Sequence, residues 1–338
     1  MILPVIIIFS FLILCKNRTF TQLSLIGLVI ILSAIVTFKD LDTRDYLLYI
    51  LEYQDADFFN IRSEPGYVLI ESILNKFNFD YIIFFAVVAL LSVGLKVFAI
   101  KKLSCYLSLS IAIYVCNFFI LQDMIALRCA IAVGFLLWAV YFKLRGNNTK
   151  FLFFVTVAIF FHYSSALYYV VFFLDKEKAQ VKTYLLLLFL GLVIGVSGTG
   201  FSSFLYFLSG IEQFNTLLNI HQYDVDEGSL SLFNAVCIMR LFIALFSLYM
   251  VYKLHGNNYE LNFYTKIYII ALVIWFSFSD MKSLSVRGSE LFQVVEIVLL
   301  PLLVRASSAK IKPFVYCGIL VFCILLLYNN ISIQKLLL

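Results

Sequence analysis

Charge is what this sequence has least of. Of its 338 residues only 13% are charged, while hydrophobic types make up 63%. A soluble domain carries roughly 45–50% apolar and about 25% charged residues, so that class is excluded. Intrinsic disorder is excluded as well, because it requires low hydrophobicity and high charge. No stretch alternates apolar and polar residues as the strands of an outer-membrane barrel must. There is no basic groove or tail, so a nucleic-acid partner is not expected. The seven cysteines show no C-x-x-C spacing and read as small buried hydrophobes. The three histidines lie far apart, no metal cluster is legible, and no cofactor is expected. No G-x-x-x-x-G-K-[ST] element is present, which argues against a nucleotide-driven pump.

What is present is a series of long apolar runs, with 36 Phe and 21 Tyr. A membrane-crossing helix needs about 20 apolar residues, so this length allows roughly ten to twelve. The expected fold class is all-α, a polytopic transmembrane bundle of about 11–12 helices forming one domain over residues 1–338. A GT-C-like arrangement is one form it could take. Helices are expected near 2–15, 20–38, 80–101, 107–121, 124–142, 151–174, 183–199, 230–254, 264–279, 290–304 and 313–330. The first, Met1–Cys15, lacks a basic leader and a small-residue cleavage site and reads as a retained helix.

Two polar stretches interrupt the apolar pattern. Residues 39–80 hold nine acidic and four basic residues; residues 200–229 hold Glu212, His221, Asp224, Asp226 and Glu227 but no Lys or Arg. The short loops are basic instead, with Lys101 and Lys102, Lys143 and Arg145, Lys176 and Lys178, and Arg305 and Lys310. The positive-inside rule puts the basic loops in the cytoplasm and both long loops outside. Segment 151–174 then begins and ends at cytoplasmic loops. Either it is a re-entrant hairpin broken at His162, in Phe161-His162-Tyr163-Ser164-Ser165, or one straight helix with His162 mid-membrane.

Within the first long loop, Tyr46, Tyr49 and Tyr53 share one helical face. Glu64-Pro65-Gly66-Tyr67 opens an amphipathic helix carrying Val68, Leu69, Ile70, Ile73, Leu74 and Phe77, placed at the outer interface. Several charges fall where the bilayer makes them costly, by about 2.5–3.5 kcal/mol or more at its centre. Arg240 and Glu296 form a buried structural pair or belong to a site. Arg128 either reaches the outer headgroups or belongs to a site, and Arg287 is either a loop-end charge or a ligand. Together Arg44, Arg128 and Arg287, with Asp42, Asp45 and Glu64, make an outward-facing set suited to a phosphate-bearing lipid. Arginine fits that role because its planar fork matches phosphate oxygens.

These residues fall in an order that resembles the EpsG-like branch of the Wzy polysaccharide polymerases. The matching elements are Asp42 to Tyr46 with Asp45 inside, Glu64-Pro65-Gly66-Tyr67, Gln122 followed by Arg128, Phe161 to Ser165, and Arg287 ahead of Leu300-Pro301. Gln122 stands six residues before Arg128, wider than in the family pattern, and Leu41 occupies a place where the family often has glycine.

The resemblance implies a multi-pass enzyme of the bacterial inner membrane whose active site faces the periplasm or exterior. It would polymerise undecaprenyl-diphosphate-linked repeat units of an O-antigen or related polysaccharide without a metal ion. Its partners would be the lipid-linked glycan donor and acceptor, the surrounding lipids, and a flippase and chain-length regulator. His162, Asp45 and Glu64 are the candidate bases for the attacking hydroxyl. Arg44, Arg128, Arg240, Arg287, Asp42, Tyr46 and Tyr67 are the candidate substrate-binding residues. An O-antigen ligase-like enzyme, an acyltransferase and a lipid-linked oligosaccharide flippase are the alternatives. A ligase would need His and Arg in its large external loop, and 200–229 has no Arg. A transporter would need paired halves, and no internal repeat is visible.

Overall fold

The structure is a computed structural model that describes residues 18–39, 45–54, 64–198 and 232–334. The expected helix at 2–15 and the loop 200–229 lie outside them. So do Asp42 and Arg44.

Every regular element among the described residues is helical. In chain order they are α1 (Arg18–Thr37), α2 (Tyr46–Gln54), α3 (Pro65–Lys76), α4 (Tyr81–Leu103) and α5 (Leu107–Ile113). A π-helical segment, Tyr114–Asp123, continues α5. Then come α6 (Leu127–Leu144), α7 (Asn148–Phe161), a 3-10 segment (Tyr163–Phe173), α8 (Val181–Ser197), α9 (Ala235–Lys253), α10 (Tyr259–Ser277), α11 (Lys282–Gln293), α12 (Glu296–Ala306) and α13 (Lys312–Gln334). Helices α4, α6, α9 and most of α13 are long and apolar enough to cross a membrane. The fold is a helical membrane bundle, as the apolar runs require.

Local sequence explains where these helices begin. Asp80 accepts from the Tyr81 N–H at 2.6 Å to start α4. Asn147, Asn234 and Asn258 accept from Lys150 N–H, Cys237 N–H and Leu261 N–H at 2.8–3.0 Å to start α7, α9 and α10. Asn and Asp are favoured there because their side chains satisfy backbone donors that the helix cannot.

The chain divides into two compact units, Met1–Phe172 with Leu300–Leu338, and Phe173–Leu299. In the first, α4 and α6 lie side by side, and Trp138 donates to the Leu95 carbonyl at 3.2 Å. Within 39–80 the described residues form two helices: Tyr46, Tyr49 and Tyr53 are the buried face of α2, and α3 begins at Pro65 and buries Gly66, Tyr67, Val68 and Glu71 while Leu69, Ile73 and Phe77 are exposed. In the second unit, α8 buries only Tyr184, Leu188, Gly191 and Gly195, one narrow stripe, while Leu186, Phe189 and Val196 stay exposed. A side chain at Gly195 would stand 2.9 Å from the Phe276 carbonyl, so the small residue is what lets α8 meet α10. This is how helices associate where lipid supplies no hydrophobic drive.

The run 151–174 is a hairpin. Helix α7 ends at His162, whose backbone is extended (φ −159°, ψ 110°). The 3-10 segment then returns: Thr156 and Tyr169 hydroxyls meet at 2.7 Å, and the Phe151 and Phe172 rings lie 6.2 Å apart. Lys143 closes the open end by donating to the Phe172 carbonyl at 2.5 Å. The expected helix at 290–304 is placed differently. It is two helices broken at 294–295, with Arg287 inside α11 and Glu296 the first residue of α12. An acidic side chain is favoured at that N-terminus by the helix dipole.

Candidate functional site

The first unit gathers Glu64, Arg128 and His162 from the start of α3, the first turn of α6 and the end of α7. Glu64 precedes α3 in an extended conformation, and Pro65 occupies the first turn, where a missing N–H costs nothing. Gly66 lies against the end of α7. A Cβ there would be 3.0 Å from the Phe160 carbonyl oxygen and 3.1 Å from the Phe161 ring. The Glu-Pro-Gly-Tyr element is therefore a docking turn that sets Glu64 next to His162. Arg128 comes from the first turn of α6.

Arg128 is forked between two carboxylates. Its Nη1 donates to Glu64 Oε2 at 3.0 Å and its Nη2 to Glu52. The other Glu64 oxygen, Oε1, lies 3.3 Å from His162 Nδ1. Side-chain exposure is 12% for Glu64, 14% for His162 and 19% for Arg128, against 42% for Glu52. The Arg128 guanidinium carbon stands 5.0 Å from the Tyr67 ring centre and 5.8 Å from that of Tyr49. Burial alone would raise the Glu64 carboxyl, but the His162 hydrogen bond and Arg128 outweigh it, and it lies below its usual value. Four buried atoms here have no hydrogen-bond partner among the described residues: Tyr67 Oη, Glu71 Oε1, Arg128 Nε and His162 Nε2. Glu71 is pushed up to about 7 by burial, with Glu52 adding to the rise and Arg128 opposing it.

Other expected residues lie elsewhere. Tyr46 is buried against Phe85, ring centres 4.7 Å apart, with Lys39 over its ring at 5.0 Å. Asp45 has a left-handed backbone (φ 63°) ahead of α2 and acts electrostatically on Lys39 and Tyr49. Arg240 and Arg287 belong to the second unit. There Arg240 Nε donates to Glu296 Oε1 at 2.9 Å, and the Tyr268 hydroxyl donates to the same oxygen at 3.0 Å. Arg287 is exposed on α11.

Sequence reading missed Glu52, Glu71 and a second buried pair. Lys96 Nζ and Asp123 Oδ2 are 2.8 Å apart, both side chains wholly buried, with Tyr114 Oη donating to the same oxygen at 2.8 Å and Ser92 to the other. Lys39 Nζ donates to the Met124 carbonyl at 2.6 Å. These bonds pin the turn that leads into α6 and hence Arg128. The signal was available: Lys96 is a lone cation within the apolar run of α4. Glu71 stands four residues after Tyr67, one turn along the same buried face of α3.

The family model described as EpsG family matches residues 23–337. No curated protein and no solved structure matches the chain.

Proposed function

The chain belongs to the EpsG family, and from that membership we propose that it polymerises polyprenyl-diphosphate-linked oligosaccharide repeat units by glycosyl transfer. The family and the apolar helices support a multi-pass polysaccharide-polymerase-type membrane protein.

The reaction joins a hydroxyl of the acceptor repeat unit to the anomeric carbon of the donor. The hydroxyl loses its proton, its oxygen bonds to that carbon, and the carbon–oxygen bond to the diphosphate breaks. Polyprenyl diphosphate leaves with the electron pair. The observation that carries our assignment of the base is the Glu64–His162 contact. With Glu64 ionised, the proton of a neutral His162 ring sits on Nδ1, leaving the unpartnered Nε2 as a proton acceptor. Glu64 holds the ring and stabilises it once protonated, as the carboxylate does in a Ser-His-Asp triad. A carboxyl held below its usual value is a poorer proton acceptor, which counts against Glu64 as the base. Asp45 is the remaining candidate. Charge on the departing diphosphate needs preorganised cations. The arginines singled out from the sequence, Arg44, Arg240 and Arg287, are the candidate cations, and Asp42 is a candidate ligand for sugar hydroxyls.

The test is turnover of purified enzyme with lipid-linked repeat units. His162→Gln should keep near-normal substrate binding while the chemical step slows by about 10²–10⁴-fold. Near-wild-type turnover in that variant would move the base to Asp45.

A further inference from the structure

Among the described residues the Arg128 cluster carries the wrong charge for a diphosphate. Arg128 is shared there by Glu52 and Glu64, which together outweigh it by one negative charge, and Glu71 adds a second when ionised. A diphosphate would have to unseat a carboxylate from the fork and then face the carboxylates left behind. Like charges in a site largely withdrawn from water repel strongly.

The same groups suit a polyhydroxyl ligand. Carboxylates accept hydrogen bonds from hydroxyls, and bonds to charged groups are the stronger kind. Independent of charge, Tyr67 is fully buried with its hydroxyl unpartnered, and Glu71 is 3% exposed with Oε1 unpartnered. The ring of Tyr67 lies on Arg128, and Glu71 acts electrostatically on Tyr67 and Tyr53. Arg128 Nε supplies a donor, His162 Nε2 an acceptor, and the Tyr67 hydroxyl serves as either. Buried polar groups are ordinarily satisfied, so the unpartnered atoms of Tyr67, Glu71, Arg128 and His162 leave hydrogen-bonding capacity that a ligand can take up.

We propose that Glu52, Glu71, Tyr67, Arg128 and His162 form the subsite for the hydroxyl-bearing end of a glycan, the acceptor, and that the diphosphate binds elsewhere. The assignment rests on the polymerase reading and specifies which part of the substrate this site takes. Glu52 and Glu71 hold sugar hydroxyls, and Arg128 keeps the carboxylates from repelling one another apart. His162 faces the hydroxyl that reacts.

Two probes separate the alternatives on purified full-length protein in detergent. One is the repeat-unit oligosaccharide freed from its lipid, which has no phosphate; the other is undecaprenyl diphosphate. Each is measured as an inhibitor of polymer formation and by direct binding. Glu71→Gln and Glu52→Gln preserve shape and remove one charge. Each should weaken the free glycan by roughly ten- to hundredfold, the loss of a charged hydrogen bond, and leave undecaprenyl diphosphate unchanged. Unchanged glycan affinity in both variants would overturn the assignment. So would a several-fold gain in undecaprenyl diphosphate affinity, which is what removing a carboxylate from a phosphate site produces. Glu52 is the more exposed of the two, so its variant stays informative if Glu71→Gln folds poorly. A wild-type protein that makes no polymer and binds neither probe would sink the polymerase reading, and this subsite with it.

Discussion

Lys96 and Asp123 face each other at 2.8 Å with neither side chain reaching solvent. Asp123 ends the π-helical segment, and Arg128 lies five residues further on. The pair is thus bonded into the turn that delivers Arg128, together with Lys39 on the Met124 carbonyl. Removing one partner of a buried pair leaves an uncompensated charge, while removing both does not.

Lys96→Met or Asp123→Leu alone should therefore cost about 3–5 kcal/mol and lower the amount of folded protein. The double variant should recover most of that loss in thermal unfolding of the detergent-solubilised protein. If the single variants fold as well as wild type, the pair does not hold the turn.

Gly66→Ala tests the docking of α3 on α7. The added methyl meets the Phe160 carbonyl at 3.0 Å. Overpacking of this kind costs about 1–3 kcal/mol. Turnover should fall further than stability, because Glu64 moves away from His162. Equal, small losses in both would mean the turn has no part in chemistry.

Arg240 and Glu296 offer a parallel case in the second unit. Arg240→Leu leaves Glu296 buried with Tyr268 as its remaining side-chain partner among the described residues, and Glu296→Leu strands the guanidinium. Either should reduce protein level, and the double variant should restore it. Stable but inactive Arg240→Leu protein would instead place Arg240 in the substrate site.

Arg287 is exposed, so its replacement should leave the fold intact. Arg287→Ala should abolish long polymer on gels at a normal protein level. Arg287→Lys should remain damaged, because lysine keeps the charge but loses the planar fork. Full-length polymer from Arg287→Ala would remove it from the diphosphate site.

Glu71 sets a pH dependence. Its carboxyl is raised from 4.5 to about 7, so the folded state holds the proton more tightly than the unfolded chain. Its contribution is complete below about 4.5 and is lost as pH rises through 7. Glu71→Gln should remove that decline. Between acid pH and pH 8 the variant should gain about 3 kcal/mol on wild type. Parallel stability–pH curves for the two proteins would show that Glu71 ionises without penalty.

The sequence alone determined the class of this protein and most of its helices. Apolar runs of membrane length leave a backbone no alternative to helix, since every N–H and C=O must be satisfied within its own segment. Charge bias was enough to anticipate the return at His162, because a segment flanked by two basic loops is poorly explained by one crossing. The sequence also placed Arg128, Glu64 and His162 among the candidate site residues, and the folded chain brings these three together. The partners were decided by tertiary structure. Arg128 is joined to Glu64 across 64 positions and to Glu52 across 76, and no local pattern encodes which carboxylates fill its fork. Lys96 was visible as an isolated cation, but finding Asp123 required packing α4 against the π-helical segment. The lone charge shows that a partner must exist, since an unpaired one in an apolar interior is too costly. Only the folded chain shows which residue it is.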